Sequence, residues 1–179
     1  MHLVQSGLAR ALLYSAIMSE ACQYPSGRDA DHRFRFWQRW LLIASAVFGA
    51  MGAAWVIIGS FDPFGLYTGL LAQALWGRAQ LTPEARQMFE FMVVPLGATT
   101  AGYFVLVFMI VHHAFLRRER WAYWTVVTAL AVWFVLDSTF SVWHGAVFNV
   151  WLVNLPCIVI MGLPLVMLRR SFARRTTGQ

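Results

Sequence analysis

One acid, Asp137, lies well inside a long apolar run, and it is the residue of this sequence with the clearest chemical potential. The run, from Trp121 to Asn154, reads WAYWTVVTALAVWFVLDSTFSVWHGAVFNVWLVN. A charged side chain in hydrocarbon costs about 2.5 to 3.5 kcal/mol on insertion scales, so an acid kept there is expected to have a partner, a water-filled cavity or a function. The search for a site therefore starts at Asp137.

Other polar residues are predicted to lie near Asp137. Asp137, Ser141 and His144 recur at i, i+4 and i+7, which places them on one face of a helix. With a rise of about 1.5 Å per residue, threonines of a second helix and an asparagine of a third come to a similar depth. The predicted ligand-binding set is Asp137, Thr99, Thr100, Tyr103, Trp133, Ser141, His144 and Asn154, with Ser138, Asn149 and Glu90 as further candidates.

Three roles for Asp137 remain open at this point. A protonated Asp137 could donate a hydrogen bond to a threonine, or to a carbonyl freed by Pro95, and tie the helices together for about 0.6 to 2 kcal/mol. It could instead bind a small ligand or take part in proton-linked transport. A direct catalytic role is the third alternative.

Metal, cofactor and catalytic motifs are absent from the sequence. His112 and His113 are predicted near one end of the bundle and His144 near the other, about 30 Å apart, so no ion or haem can be shared between them. Cys22 and Cys157 form no CxxC pair. No nucleophile elbow, P-loop, dinucleotide-binding glycine pattern or HExxH occurs. The sequence predicts no cofactor, no metal and no catalytic residue, and an enzyme acting on lipid is the least favoured hypothesis.

The composition belongs to the membrane class of proteins. Of 179 residues, 59% are hydrophobic and only 12% are charged, whereas a soluble domain carries about 25% charged residues. All 14 basic residues are arginine, and most of them flank apolar runs. That distribution is typical of membrane orientation signals and not of a nucleic-acid-binding face.

The apolar runs predict an all-α membrane protein, a bundle of four transmembrane helices. The predicted spans are residues 37–59, 89–115, 121–142 and 148–168 within a single transmembrane domain, 37–168. A helix over residues 65–77 is too short to span and is predicted to lie in the membrane interface. Residues 1–36 are predicted to be a cytoplasmic leader and linker, with Met18 as an alternative start, and residues 169–179 a basic cytoplasmic tail.

The arginines predict the orientation. Twelve of the 14 lie in the N-terminal segment, the connection between the second and third spans, and the C-terminus. Arginine-rich segments stay on the cytoplasmic side, so both termini are predicted to be cytoplasmic. The exclusive use of arginine is typical of a GC-rich bacterium, which suggests the bacterial inner membrane.

Four stretches carry a resemblance: PLGATTAGYFVL, FLRRERWAYW, WFVLDS and HGAVFNVWLVN. They resemble small, uncharacterised bacterial integral membrane proteins with four helices, in which an arginine-rich turn precedes tryptophans. The resemblance covers about Phe89 to Arg170. It implies a four-helix membrane fold and carries no activity, cofactor or site residue.

The sequence favours a non-enzymatic structural or accessory membrane subunit. Small residues at helical spacing in the first span, Ala46, Gly49, Ala50 and Ala53, would let another helix approach closely. The expected surroundings are the lipid bilayer and either a homo-oligomer or a larger membrane complex, with no nucleic acid. The alternative is a small-ligand or proton-linked binding or transport protein that uses an outer-leaflet pocket around Asp137.

Overall fold

The structure, a computed structural model, describes residues 27–59, 62 and 64–173, with side chains from residue 29 onward. Its helices are α1 (Gly27–Ile58), α2 (Leu66–Trp76), α3 (Pro83–His113), α4 (Arg120–Trp143) and α5 (Val147–Ala173). Within these residues there is no strand, and four helices, all but α2, are long and apolar enough to cross a membrane. The chain is therefore an all-α, multi-pass membrane protein. The predictions for residues 1–26 and 174–179 lie outside the described residues.

Helix α1 begins earlier than the sequence predicted. Residues 27–36 were assigned to the leader and linker, but they are helical. Asp29 lies in the first turn, near the positive end of the helix dipole, and the arginines that follow have high helix propensity. The chain divides into two compact units between Phe36 and Trp37, so α1 contributes residues to both.

Helices α3 and α5 are also longer than the predicted spans. The Thr82 hydroxyl accepts a hydrogen bond from the Ala85 N–H at 3.3 Å, and Pro83 occupies the first turn. This N-cap starts α3 at Pro83, as the sequence Thr82-Pro83-Glu84 predicts, six residues before the apolar span that begins at residue 89. Helix α5 continues to Ala173, so the first residues of the predicted tail are helical.

Glycines bring α1 and α3 into close contact. A Cβ atom built on Gly52 would lie 2.7 Å from the Gly97 carbonyl oxygen, and one on Gly97 would lie 2.7 Å from the Gly52 carbonyl oxygen. Phe48 of α1 stacks on Phe104 of α3 with ring centroids 5.0 Å apart. The contact was predicted on the stripe containing Ala46, Ala50 and Ala53, but those three alanines are exposed and only Gly49 of the stripe is buried.

At the arginine-rich end, polar side chains bond to main-chain carbonyls of neighbouring helices. The Gln38 amide donates to the Val111 carbonyl at 3.0 Å, which is among the last four carbonyls of α3 and lacks an intrahelical partner. The Tyr123 hydroxyl donates to the Leu165 carbonyl at 3.2 Å. These bonds connect Gln38 of α1 to the last turn of α3, and Tyr123 in the first turn of α4 to Leu165 of α5.

The indole of Trp40 compensates for a proline in α5. Pro164 has no N–H, so the carbonyl of Ile160, four residues earlier, loses its helical donor. The Trp40 indole N–H donates to this carbonyl at 3.0 Å. The bond therefore links α1 to α5 at the point where the helical ladder is interrupted.

Trp40→Phe is expected to lower the free energy of unfolding by about 1 to 3 kcal/mol, because it leaves the Ile160 carbonyl without a donor. Thermal unfolding in detergent micelles measures the change. Trp151→Phe is the control, since the Trp151 side chain is 68% exposed. Equal losses in the two variants would contradict this role for Trp40.

Asp62 caps the N-terminus of α2. Its Oδ2 accepts hydrogen bonds from the Thr68 N–H and from the Thr68 hydroxyl, both at 2.8 Å. Burial acts to raise the pKa of Asp62, but these bonds and the N–H groups of Tyr67 and Leu66 outweigh it and hold the pKa below the ordinary 3.8. The ionised form of Asp62 therefore stabilises the first turn of α2.

Acidification is expected to loosen this turn. Because the pKa of Asp62 is lower in the folded protein than in the unfolded chain, its contribution is complete above pH 3.8 and is lost as the pH falls through the folded value. Hydrogen exchange at the Thr68 amide, corrected for the intrinsic rate, measures the loss. Asp62→Asn removes the negative charge near the positive end of the α2 dipole and is expected to weaken the first turn by about 0.3 to 1 kcal/mol at neutral pH. An unchanged pH response in that variant would refute the assignment.

Candidate functional site

Asp137 is the centre of a hydrogen-bonded cluster between α4 and α5. Its Oδ2 accepts from the Asn149 amide nitrogen at 3.0 Å and from the Asn154 amide nitrogen at 2.6 Å. The same two nitrogens donate to the hydroxyls of Ser141, at 2.9 Å, and Ser138, at 3.0 Å. We call these five residues, Asp137, Ser138, Ser141, Asn149 and Asn154, the Asp137 cluster.

A tight turn brings the two halves of the cluster together. Helix α4 ends at Trp143 and α5 begins at Val147, and Gly145 between them has a φ of 74°, which glycine adopts without strain. Asp137 lies six residues before Trp143, or about 9 Å along the helix axis. The cluster therefore lies inside the span but near its end.

A π-helical turn aligns the two asparagines. Asn149 and Asn154 are five residues apart, which on an α-helix would turn their side chains about 140° away from each other. In α5, residues Val150–Asn154 form a π-helix, and the Leu155 N–H bonds to the Val150 carbonyl. This wider turn brings residues five apart towards one face. Both amides can therefore reach the same carboxylate oxygen.

Helix α2 adds a residue that the sequence analysis did not predict for the site. The Tyr67 hydroxyl donates to the Asn149 amide oxygen at 3.2 Å, and its ring lies against Phe148 and Phe89, with centroid distances of 5.3 and 6.1 Å. Burial, followed by the charge of Asp137, raises the pKa of Tyr67 above 10.0. The sequence does not place Tyr67 at the site, because nothing in the spacing shows that α2 folds back over the α4–α5 turn.

No basic side chain neutralises Asp137 in the described part of the chain. The salt bridges found there, Arg86 with Glu90 and Arg117 with Glu119, do not include it. Asn154 is fully buried, yet its amide oxygen has no hydrogen-bond partner. Asp137 and Asn149 are half-buried, so the cluster is not sealed. The cluster therefore contains one carboxylate without a basic partner, that of Asp137, and one buried amide oxygen without a hydrogen bond, that of Asn154.

Of the eight predicted ligand-binding residues, three lie in the cluster: Asp137, Ser141 and Asn154. Two of the further candidates, Ser138 and Asn149, also belong to it. The third, Glu90, is exposed and pairs with Arg86. Comparing the depths of polar residues along the helices therefore identified part of the cluster.

The other five predicted residues have no hydrogen bond to the cluster among the described residues. Thr99 is exposed and donates to the Pro95 carbonyl of its own helix at 2.8 Å. Thr100 lies against Gly52 of α1, because a Cβ atom built on Gly52 would be 3.1 Å from the Cβ atom of Thr100. Tyr103 packs edge-on against Phe104. His144 is exposed and bonds to the Phe140 carbonyl.

Trp133, the fifth, lines a shallow hollow on the outside of α4, together with Trp121, Trp124, Thr125, Thr128, Ala129 and Val132. All of these residues come from one helix. Shared depth does not determine the direction in which a side chain points, and this is why the threonines of α3 and Trp133 do not join Asp137. They face α1 or the outer surface.

The histidines at the end of α3 lie side by side, and the rings of His112 and His113 stack with centroids 4.7 Å apart. Both are exposed. In the part of the chain that the structure describes, no three residues of the types His, Cys, Asp and Glu are grouped so that they could hold a metal ion.

Comparison with the profiles of protein families, with curated proteins and with solved structures finds no match to this chain. The function therefore has to be argued from the chemistry of the cluster. A carboxylate surrounded by amides and hydroxyls, with a buried acceptor unused, can accept a positively charged group or a strong hydrogen-bond donor. The serine hydroxyls of the cluster accept hydrogen bonds from the amides of Asn149 and Asn154.

Proposed function

We propose that this protein is a non-enzymatic integral membrane protein that binds a small ligand bearing one positive charge at the Asp137 cluster. The observation that carries the proposal is the absence of a basic partner for Asp137 within the described residues. Its hydrogen-bond donors are the neutral amides of Asn149 and Asn154. A ligand with one positive charge would complete the site.

A bound cation would reduce the free-energy cost of holding the Asp137 carboxylate near hydrocarbon. Hydrogen bonds to amides stabilise an ionised carboxylate but leave its net charge, and a net charge near hydrocarbon costs several kcal/mol. A bound cation removes that net charge while the amides and hydroxyls supply polar contacts. Asp137 and Asn149 are only half-buried, so part of the cluster is open to its surroundings.

The arginines support a position in a bacterial inner membrane with both termini in the cytoplasm. Arg117, Arg118 and Arg120 flank the α3–α4 connection, and Arg169 and Arg170 lie near the end of α5. Under the positive-inside rule these segments are cytoplasmic. The Asp137 cluster would then lie in the outer leaflet, and α2 would lie along the outer interface, with Tyr67 above the cluster.

A structural or accessory role is the second candidate. The same hydrogen bonds connect α2, α4 and α5, so they could serve only to hold the helices together. Large apolar side chains on the outside of the spans, such as Leu136 at 66% and Phe140 at 65% exposure, could face lipid, a second copy or another subunit. Native mass spectrometry after gentle extraction tests for such a partner. A monomer without a bound polypeptide would count against this candidate.

Electrical recording from proteoliposomes on a solid-supported membrane tests the binding function. Concentration jumps of Na⁺, K⁺ and methylammonium, each against choline, are expected to displace charge in the wild type for at least one cation. Asp137→Asn should abolish the displacement, whereas Glu90→Gln should retain it because Glu90 pairs with Arg86 outside the cluster. Equal displacement in wild type and Asp137→Asn would refute the proposal.

A further inference from the structure

We infer that the ligand of the Asp137 cluster is a dehydrated monovalent metal ion of the Na⁺ type. This inference rests on the proposed function, because it names the ligand of the same site.

The available donor atoms are all oxygens. They are the Asp137 carboxylate, the hydroxyls of Ser138 and Ser141, and the amide oxygens of Asn149 and Asn154. No thiolate or imidazole takes part in the hydrogen bonds of the cluster. Oxygen ligands of this kind favour hard cations over the softer transition metals.

The net charge of the cluster favours a ligand that carries a single positive charge. Asp137 is its one carboxylate, and Glu90, a nearby candidate by sequence, is bonded to Arg86 instead. A monovalent ion would make the site neutral, whereas Ca²⁺ or Mg²⁺ would leave one net positive charge near hydrocarbon. Because an uncompensated charge in a low-dielectric environment costs several kcal/mol, the monovalent ion is favoured.

The buried Asn154 oxygen provides the independent evidence for a ligand. This oxygen is unpaired in a side chain with no exposed surface, although a buried polar atom normally has a partner. It belongs to the same amide whose nitrogen lies 2.6 Å from Asp137 Oδ2. This oxygen therefore belongs to the side-chain amide that contacts the carboxylate, so a ligand that satisfied it would lie at the Asp137 cluster.

The amides of Asn149 and Asn154 can exchange roles when an ion enters. Their N–H groups now stand beside Asp137 Oδ2, where they present partial positive charge in place of a cation. The oxygen and nitrogen of an asparagine amide are similar in size, so a half-turn of the side-chain amide would exchange donors for acceptors in the same volume. For Asn149 this turn releases the hydrogen bond from Tyr67, so binding is coupled to α2.

Thermal unfolding in detergent, with NaCl compared with choline chloride at constant ionic strength, tests this inference. Wild-type protein is expected to gain roughly 5 to 10 °C in Tm at a Na⁺ concentration about 100 times its Kd. The gain should disappear in Asp137→Asn and in Asn154→Leu, with each variant's Tm in choline showing that it still folds. Glu90→Gln should respond as the wild type does.

Two outcomes would overturn the inference: no Na⁺-specific gain in the wild type, or a gain that persists in both cluster variants. A further measurement of Tm at lower pH in choline chloride distinguishes Na⁺ from a proton. If acid alone stabilises the protein, the positive charge at Asp137 is a proton and the sodium assignment is wrong. If Na⁺ has no effect while charge displacement by another cation still requires Asp137, the sodium assignment fails and the proposed function stands.

Discussion

Gly97→Leu is expected to separate α1 from α3 and to lower the free energy of unfolding by at least about 3 kcal/mol, the upper range for overpacking a tight contact. A Cβ atom on Gly97 would lie 2.7 Å from the Gly52 carbonyl oxygen and 2.9 Å from the Trp55 Cβ. Main-chain atoms cannot rotate away as a flexible side chain can, so the helices themselves must move. Thermal unfolding in detergent micelles measures the loss.

Gly102→Leu is the matched control in the same helix. A Cβ atom on Gly102 would meet nothing within 4 Å, and leucine has a higher helix propensity than glycine by roughly 0.5 to 1 kcal/mol. The control should therefore be neutral or slightly stabilising. A similar loss of stability in the two variants would contradict the close α1–α3 contact.

Asp137→Leu is expected to destabilise the junction of α4 and α5 by about 1 to 4 kcal/mol. The change removes the acceptor shared by Asn149 and Asn154. Hydrogen bonds to a charged group contribute about 1.5 to 3 kcal/mol each in soluble proteins, but interhelical hydrogen bonds in membranes average about 0.6. For two bonds these values give limits of about 1 and 6 kcal/mol, and the expected loss lies in the lower part of that interval.

Asp137→Asn separates the charge from the hydrogen bonds. Its amide oxygen can still accept from a neighbouring asparagine, and its nitrogen can donate to the unpaired Asn154 oxygen. The loss should therefore be below about 1 kcal/mol. Thermal unfolding of both variants in the absence of Na⁺ checks the difference. If the asparagine variant is as unstable as the leucine variant, the carboxylate charge itself holds the helices together.

Much of the fold could be predicted because long apolar runs impose helices in a membrane. The Thr82–Pro83 start of α3 follows from its capping sequence, and the helix over Leu66–Trp76 follows from the short apolar segment between Gly65 and Gly77. The start of α1 at Gly27 was missed because its first turns are polar and were therefore read as a linker. Hydropathy detects the part of a helix that is apolar and not the whole helix.

The site was predicted only in part, and the reasons are geometrical. Depth along a helix follows from counting residues, and it correctly brought Asn154 to the level of Asp137. Rotation about the helix axis does not follow from counting, so Thr99 was expected at the site but bonds within α3. The π turn of Val150–Asn154 and the return of Tyr67 over Asn149 depend on tertiary packing. Local spacing cannot encode either of them.

Infrared difference spectroscopy of the protein in lipid, on exchange of choline for Na⁺, tests most directly whether the Asp137 carboxylate takes up one positive charge. The account predicts a change in a carboxylate stretching band that shifts with ¹³C-labelled aspartate and disappears in Asp137→Asn. It also predicts a change in an asparagine amide band, because the Asn154 amide turns its oxygen towards the ion. An identical difference spectrum in wild type and Asp137→Asn would contradict the account.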